Sequence, residues 1–321
     1  MFAAYATTPN AADPLSALAV GERPEPEPPA SWTTVTVRAA SLNRHDLFTL
    51  AGVGIKSELF PMILGADGSG VDEDGNDVVI HGVIGDPDWP GDETLDPKRT
   101  LLSERHQGTF AERVAVPRRN LLPKPAELSH AEAACLGVAW LTAYRMLFTR
   151  SGLRPGQTVL VQGASGGVAT AAIALARAAG FRVWATGRTG AKRELAHELG
   201  AHATFEPGGR LPERVDVVID TVGEATWAHS LRSLRPGGRI VTCGATSGAN
   251  PPAELNRVFF LQLSVVGSTM GTREELAGLL GFLAATGLRP RIGLELPLSR
   301  AAEGFAAMER GDTAGKIVFT L

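Results

Sequence analysis

Two cysteines in 321 residues, Cys135 and Cys243, are too few and too far apart for a disulfide framework or a CxxC metal knuckle. A reducing, cytoplasmic setting is expected. Charge of one sign is equally scarce: the formal net charge is -3, charged residues are 20% of the chain, and no basic run forms a stripe that tracks phosphates. Nucleic acid is therefore not an expected partner. Long apolar runs are missing too. Residues 1–20 lack a basic segment followed by an apolar core, and the apolar stretch 131–148 is broken by Glu132, Tyr144 and Arg145, so neither a secretion signal nor a membrane span is expected. Without internal repeats or low-complexity tracts, solenoid architectures are set aside as well.

What is present fits two domains, since 321 residues exceed one ordinary core. The first 120 or so residues alternate short strand patterns with turns, and the proline-rich segment 22–29 reads as an extended edge or loop ahead of the alternating Thr34-Val35-Thr36-Val37. From Leu153 onward, apolar β runs alternate with segments of helical period, the signature of βαβ units and a parallel sheet. Strands are expected at 158–162, 182–186, 215–220, 238–243 and 264–267, with helices at 168–179, 191–199 stopped by Gly200, and 227–234 stopped by Pro236-Gly237. Two more helices, near 273–284 and 300–309, precede a last β run at 316–321. The apolar stretch from Val258 to Val266 reads as a strand region that would leave an open edge, which predicts a homodimer through this domain.

The first of these strands runs into Gly163-Ala164-Ser165-Gly166-Gly167-Val168, where a helix begins. Strand, glycine turn and helix N-terminus together present backbone N–H groups and a positive dipole end to a pyrophosphate; a plain tight turn is the alternative. After the second strand an NAD enzyme usually carries an acid for the ribose hydroxyls, but residues 183–191 contain none. They carry Gly187 and Arg188, with Lys192 following. A guanidinium suits a 2′-phosphate, so this pattern predicts NADPH; two ordinary exposed cations are the alternative.

Over nearly its whole length the chain resembles the medium-chain dehydrogenase/reductase family. Carrying the resemblance are Ser41-Leu42-Asn43-Arg44-His45-Asp46, Ile63-Leu64-Gly65-Ala66-Asp67-Gly68-Ser69-Gly70, Gly108-Thr109-Phe110-Ala111-Glu112, Leu141-Thr142-Ala143-Tyr144, residues 163–169 and Gly315-Lys316-Ile317-Val318. It implies a doubly wound Rossmann domain at 124–270 and a β-rich, GroES-like catalytic domain from 1–123 with 271–321. In zinc-dependent alcohol dehydrogenases of this family the catalytic ion is held by Cys, His and Cys. The corresponding positions here are Asn43, Ala66 beside Asp67, and Val138, and the four cysteines of the family's structural zinc are absent, so no metal is expected. Cys135 reads as a small buried residue.

Losing zinc removes the Lewis acid that alkoxide chemistry relies on. The resemblance therefore implies the zinc-free, zeta-crystallin-like quinone oxidoreductase branch, with NADPH reducing a quinone or another conjugated carbonyl. An enoyl-thioester reductase and a cofactor-binding structural or sensing protein without turnover are the alternatives. Candidate catalytic residues are Asn43, as a donor to the acceptor oxygen or the nicotinamide ribose; His45, as a proton donor or an inert hydrogen-bonded residue; and Asp46, more as a loop holder than as a catalyst. Thr142 is expected against the nicotinamide, with Tyr144 beside it. Val222, Cys243, Gly244, Ala245, Gly267, Ser268 and Thr269 are expected at the strand ends that bind the dinucleotide. Lys316 either reaches the cofactor phosphates or is a surface lysine. The hairpin after Gly70 is shorter than the family's, and the long loop 85–107 is a candidate wall of the acceptor pocket.

Overall fold

The computed structural model describes all residues, 1–321, and they divide into two compact units: Met1–Leu141 with Gly271–Leu321, and Thr142–Met270. The expected boundary at 123/124 falls earlier than the observed one. Residues 124–141 cluster with the first unit because the turn His130–Ala133 packs on strands Trp32–Leu42 and Gly68–Val71, where Ser69 Oγ lies 2.9 Å from His130 Nδ1.

In the first unit the long strand Trp32–Leu42 is the hub of a seven-stranded sheet. It pairs antiparallel with Gly68–Val71, Arg113–Pro117 and Lys316–Thr320, and the last of these pairs parallel with Ile292–Pro297. Its last four residues, Ala39 to Leu42, are buried, so the Ser41 hydroxyl must find a partner inside the protein. The short hairpin read from residues 71–77 is present: Gly68–Val71 and Asp77–Ile80 pair across a turn held by Asp72, whose carboxylate accepts from the N–H groups of Asp74 and Asn76. Phe110, Phe305 and Phe319 fill the core, with the Phe110 and Phe319 rings edge-on at 5.0 Å. Burying each contributes about 2 to 3 kcal/mol.

The second unit is a six-stranded parallel sheet of Thr158–Gln162, Arg182–Thr186, Ala203–Phe205, Val215–Asp220, Leu234–Thr242 and Ser264–Gly267. Numbered within the unit, their spatial order is 3-2-1-4-5-6, the doubly wound arrangement. All five residues of Thr158–Gln162 are buried, as a strand covered on both faces requires. The helices Gly167–Ala178, Gly190–Glu198 and Glu224–Ser233 lie close to their expected places, and Gly200, at φ 105°, supplies the left-handed residue that ends the second of them.

Two expectations need correction. The short strand Ala203–Phe205 carries no strand pattern of its own and exists through its pairing with Trp184 to Thr186. The stretch 258–266 is not one strand: Leu255–Phe260 is helical and only Ser264–Gly267 is extended. The helix turns Val258 toward the apolar cluster around Leu263 and leaves Phe259 and Phe260 outward, 68% and 79% exposed. No helix in the protein is long and apolar enough to cross a membrane.

Candidate functional site

In the first unit, the end of the hub strand and the short helix Arg44–Leu50 bring together Ser41, Asn43, Asp46, Asp67, Thr109 and Lys316, all buried. Asp67 is the centre. Its Oδ1 accepts from Ser41 Oγ at 2.7 Å and Asn43 Nδ2 at 3.2 Å, its Oδ2 accepts from the Val138 N–H at 3.2 Å, and its backbone carbonyl accepts from Thr109 Oγ1 at 2.7 Å. Burial pushes its carboxyl up to about 6, against the pull of the Lys316 charge and the Ser41 hydrogen bond.

Asn43 is fully engaged. Its amide donates to Ser41 O at 3.0 Å as well as to Asp67, and its Oδ1 accepts from Lys316 Nζ at 2.6 Å. Both amide hydrogens are thus committed within the chain, which makes Asn43 a brace of the cluster, where a donor to the acceptor oxygen or to the nicotinamide ribose was expected. Lys316 is not the surface lysine of one of its two readings: it is 2% exposed, and its Nζ donates to Leu42 O at 2.8 Å and to Asn43 within this cluster.

Asp46 ties the loop together. Its carboxylate accepts from Asn43 N at 2.8 Å and Gly65 N at 2.9 Å, and burial raises its pKa despite the opposing charge of His45. Gly65 turns at φ 94°, a left-handed conformation that aims its N–H at Asp46. His45 points the other way on the helix: Nε2 lies 3.1 Å from Glu104 Oε1 and Nδ1 lies 3.3 Å from Ser103 Oγ. Burial works to lower its pKa, but the Glu104 hydrogen bond and the charges of Asp46, Glu104 and Asp67 outweigh it, and the imidazole is raised. Ser103 and Glu104, which sequence reasoning did not single out, come from the end of the 85–107 segment. That segment is brought back by the pairing of its Thr100–Leu101 with Val83–Ile84, the strand just before it. Phe48, three residues beyond His45, is 45% exposed.

In the second unit the glycine loop lies where the strand order reverses, at the end of Thr158–Gln162 beside Val215–Asp220. Gly163 has φ 89°, and a Cβ built there, or on Gly166, meets nothing within 4 Å. Ala164 is buried, Ser165, Gly167 and Val168 are half-buried, and Gly166 caps the helix Gly167–Ala178. A buried polar chain underlies the loop: Gly163 N donates to Thr186 Oγ1 at 3.0 Å, Thr186 Oγ1 to Gln162 Oε1 at 2.9 Å, Gln162 Nε2 to Ser230 Oγ at 3.0 Å, and Ser230 Oγ to Asp220 Oδ2 at 2.7 Å. Asp220 Oδ1 in turn accepts from the N–H groups of Val222 and Gly223, at 2.9 and 3.0 Å. Gln162 and Asp220 thus fix two of the expected cofactor loops, and their signal was a polar residue closing an otherwise apolar buried strand.

The remaining expected residues are distributed as follows. Thr142 is buried at the start of the unit, on the helical turn Leu141–Tyr144. Arg188 is exposed and Lys192 half-buried, with the Lys192 N–H on Thr189 Oγ1 at 3.3 Å. Gly187, just before Arg188, is buried, and its carbonyl accepts at 2.9 Å from Arg193, a residue sequence reasoning passed over. Gly244 and Ala245 are exposed, and burial pushes the Cys243 thiol up to about 12, which leaves it an inert small side chain. Gly267 and Thr269 are exposed, while the Ser268 hydroxyl is buried without a hydrogen-bond partner.

Residues 167–285 match the family model described as zinc-binding dehydrogenase. The chain is 28% identical to the quinone oxidoreductase of Mus musculus over 92% of its own length and 91% of the relative's. It is 30% identical to the acryloyl-coenzyme A reductase of Metallosphaera sedula, over 94% and 96% of the two chains. Among solved structures, an NAD-dependent alcohol dehydrogenase superposes with a TM-score of 0.93 at 34% identity, covering 100% of both chains.

A nicotinamide dinucleotide fits the second unit: the open space over Gly163 and Gly166 admits a pyrophosphate, and the Ser268 hydroxyl lacks a partner that a ligand would supply. Zinc does not fit. No group of three or more His, Cys, Asp or Glu side chains is placed to hold a metal, and the Asp67 carboxylate already accepts from Ser41, Asn43 and the Val138 N–H beside a lysine. A cation would have to displace those donors and sit against the Lys316 charge.

Proposed function

The chain belongs to the medium-chain dehydrogenase/reductase family, and from that premise we propose that it is a zinc-independent reductase passing hydride from NADPH to a quinone or another conjugated carbonyl. One observation carries the proposal: an open dinucleotide cradle coexists with a closed, lysine-containing network at the three positions that hold zinc in the family's alcohol dehydrogenases. The bound cofactor supplies a hydride. Everything else falls to this chain's residues. Gly163 and Gly166 leave room for the pyrophosphate, helix Gly167–Ala178 directs its N-terminal N–H groups there, and Arg188 with Lys192 favours the 2′-phosphate. The Asn43, Asp67 and Lys316 network holds the loop that carries His45, and His45 gives a proton to the reduced acceptor. With no Lewis acid to stabilise an alkoxide, acceptors whose negative charge delocalises are favoured, and the exposed ring of Phe48 suits a planar apolar one.

A second reading, reduction of an enoyl thioester, is favoured by the 30% identity with the acryloyl-coenzyme A reductase. The test is single-turnover oxidation of NADPH by the purified protein against a quinone, an enone and an enoyl thioester, with elemental analysis of the same sample. Reduction of the quinone or enone by zinc-free protein is expected. Oxidation of a simple alcohol with NADP by protein carrying near-stoichiometric zinc would overturn the proposal; cofactor binding with no turnover on any acceptor would favour a structural or sensing role.

The same reading includes a homodimer through the second unit. Ser264–Gly267 is an edge strand whose outer side has no partner within the chain, and Phe259 and Phe260 stand exposed beside it.

A further inference from the structure

We propose that Glu104, delivered by the 85–107 segment, is a positioning residue for His45, so that the two form a carboxylate–imidazole dyad. The inference rests on the reading of His45 as the proton donor and adds what orients it. Glu104 Oε1 lies 3.1 Å from Nε2, and both side chains are largely sheltered, 22% and 28% exposed. The carboxylate is itself held, with Oε2 accepting from the Leu101 N–H at 3.2 Å and Thr100 Oγ1 at 3.4 Å. Ser103 supplies an independent sign that this turn is built for the contact. It is one of four non-glycine residues with positive φ, at 63°, and that left-handed backbone sets Ser103 Oγ and Glu104 against the two nitrogens of one ring. Such a conformation costs about 1 kcal/mol or more and persists where surrounding contacts hold it.

The geometry assigns the ring nitrogens different work. The proton on Nε2 is held by Glu104, which fixes the tautomer, so Nδ1 is the nitrogen that takes up and releases the second proton. It makes the longer, 3.3 Å hydrogen-bond contact, with Ser103 Oγ. In the step, the Nδ1–H bond breaks and an O–H bond forms on the acceptor that has received the hydride. The N–H pair stays on the imidazole, which is later reprotonated by water. The ionisable groups that bear on the ring are Glu104, Asp46 and Asp67, all acids, so the surroundings favour the protonated form that the step consumes.

The test compares His45→Ala, Glu104→Gln and the unmutated protein in NADPH-dependent reduction of a quinone from pH 5 to 9, with the His45 ring followed by NMR titration. Gln keeps one acceptor oxygen, for the ring, while it removes the charge and sets its NH2 toward the Leu101 N–H and Thr100 hydroxyl that Oε2 accepts from. Glu104→Gln is expected to move the fall in kcat to lower pH, to cost about tenfold at pH 8 with a deficit that narrows as pH falls, and to leave KM for NADPH in place. Glu104→Asp should restore part of the profile. A Glu104→Gln rate that matches the unmutated protein at every pH, or falls equally at every pH, overturns the proposal while His45→Ala still slows turnover. If His45→Ala leaves rate and profile unchanged, the proton-donor reading fails first and the dyad with it.

Discussion

Lys316 donates to Asn43 Oδ1 at 2.6 Å across 273 positions of sequence, joining the last strand of the chain to the loop that carries His45. The contact gives a buried amide, a buried lysine and two buried carboxylates a common arrangement. Removing the lysine charge leaves Asn43 Oδ1, Leu42 O and the Asp67 carboxylate without it. Lys316→Met should therefore destabilise the first unit by about 3 to 5 kcal/mol, the usual loss when one member of a buried ionic network is deleted. Urea unfolding followed by far-UV circular dichroism measures this, and a change below about 1 kcal/mol would show that the network is not held by the lysine.

Asp67 gives the unmutated protein a distinctive pH dependence. Its folded carboxyl titrates at about 6, above its ordinary value of 3.8, so between those pH values the folded state binds the extra proton. Stability from this group is then full at low pH and is lost as pH rises through the folded value, by up to about 3 kcal/mol. Asp67→Asn should flatten this portion of the curve of unfolding midpoint against pH. An equally steep curve in the variant would assign the slope to Asp46, whose pKa is raised from the same ordinary value.

Cofactor recognition separates into two substitutions with different expectations. A Cβ at Gly166 meets no atom and its φ of -73° suits any residue, so Gly166→Val should fold normally and yet weaken NADPH and NADH alike, by tenfold or more. Arg188→Ala should weaken NADPH by roughly tenfold to a hundredfold and leave NADH nearly unaffected, the discrimination expected of a charge-assisted hydrogen bond to a 2′-phosphate. Calorimetric titration of both cofactors decides each case; equal affinities for NADPH and NADH in the unmutated protein would remove the argument for Arg188.

The exposed pair Phe259 and Phe260 beside the edge strand makes an association prediction. Light scattering at micromolar concentration should give twice the 33.7 kDa chain mass, and replacing both phenylalanines by serine should return the monomer with its fold intact. A monomeric mass for the unmutated protein would count decisively against the dimer.

Much of the second unit was legible in the chain itself, because its information is local. A buried parallel strand is a short apolar run, its helices carry their own stops, and Gly163 and Gly166 announce a turn whose surface is left open for a ligand. The exceptions have the same physical cause: Ala203–Phe205 is a strand only by virtue of its neighbour, and the helix at Leu255–Phe260 is set by which of its apolar residues meet the cluster around Leu263. In the first unit the sequence named Asn43, His45 and Asp46 as candidates and showed Asn43, Ala66 and Val138 at the positions that hold zinc in the family's alcohol dehydrogenases, since residue types are what a sequence prints directly. It could not say what those side chains touch. Only the tertiary structure brought Lys316 to Asn43, the Val138 N–H to Asp67 and Glu104 to His45, at separations of 273, 71 and 59 residues. A buried polar group takes whichever partner the packing delivers, and no sequence period encodes that choice.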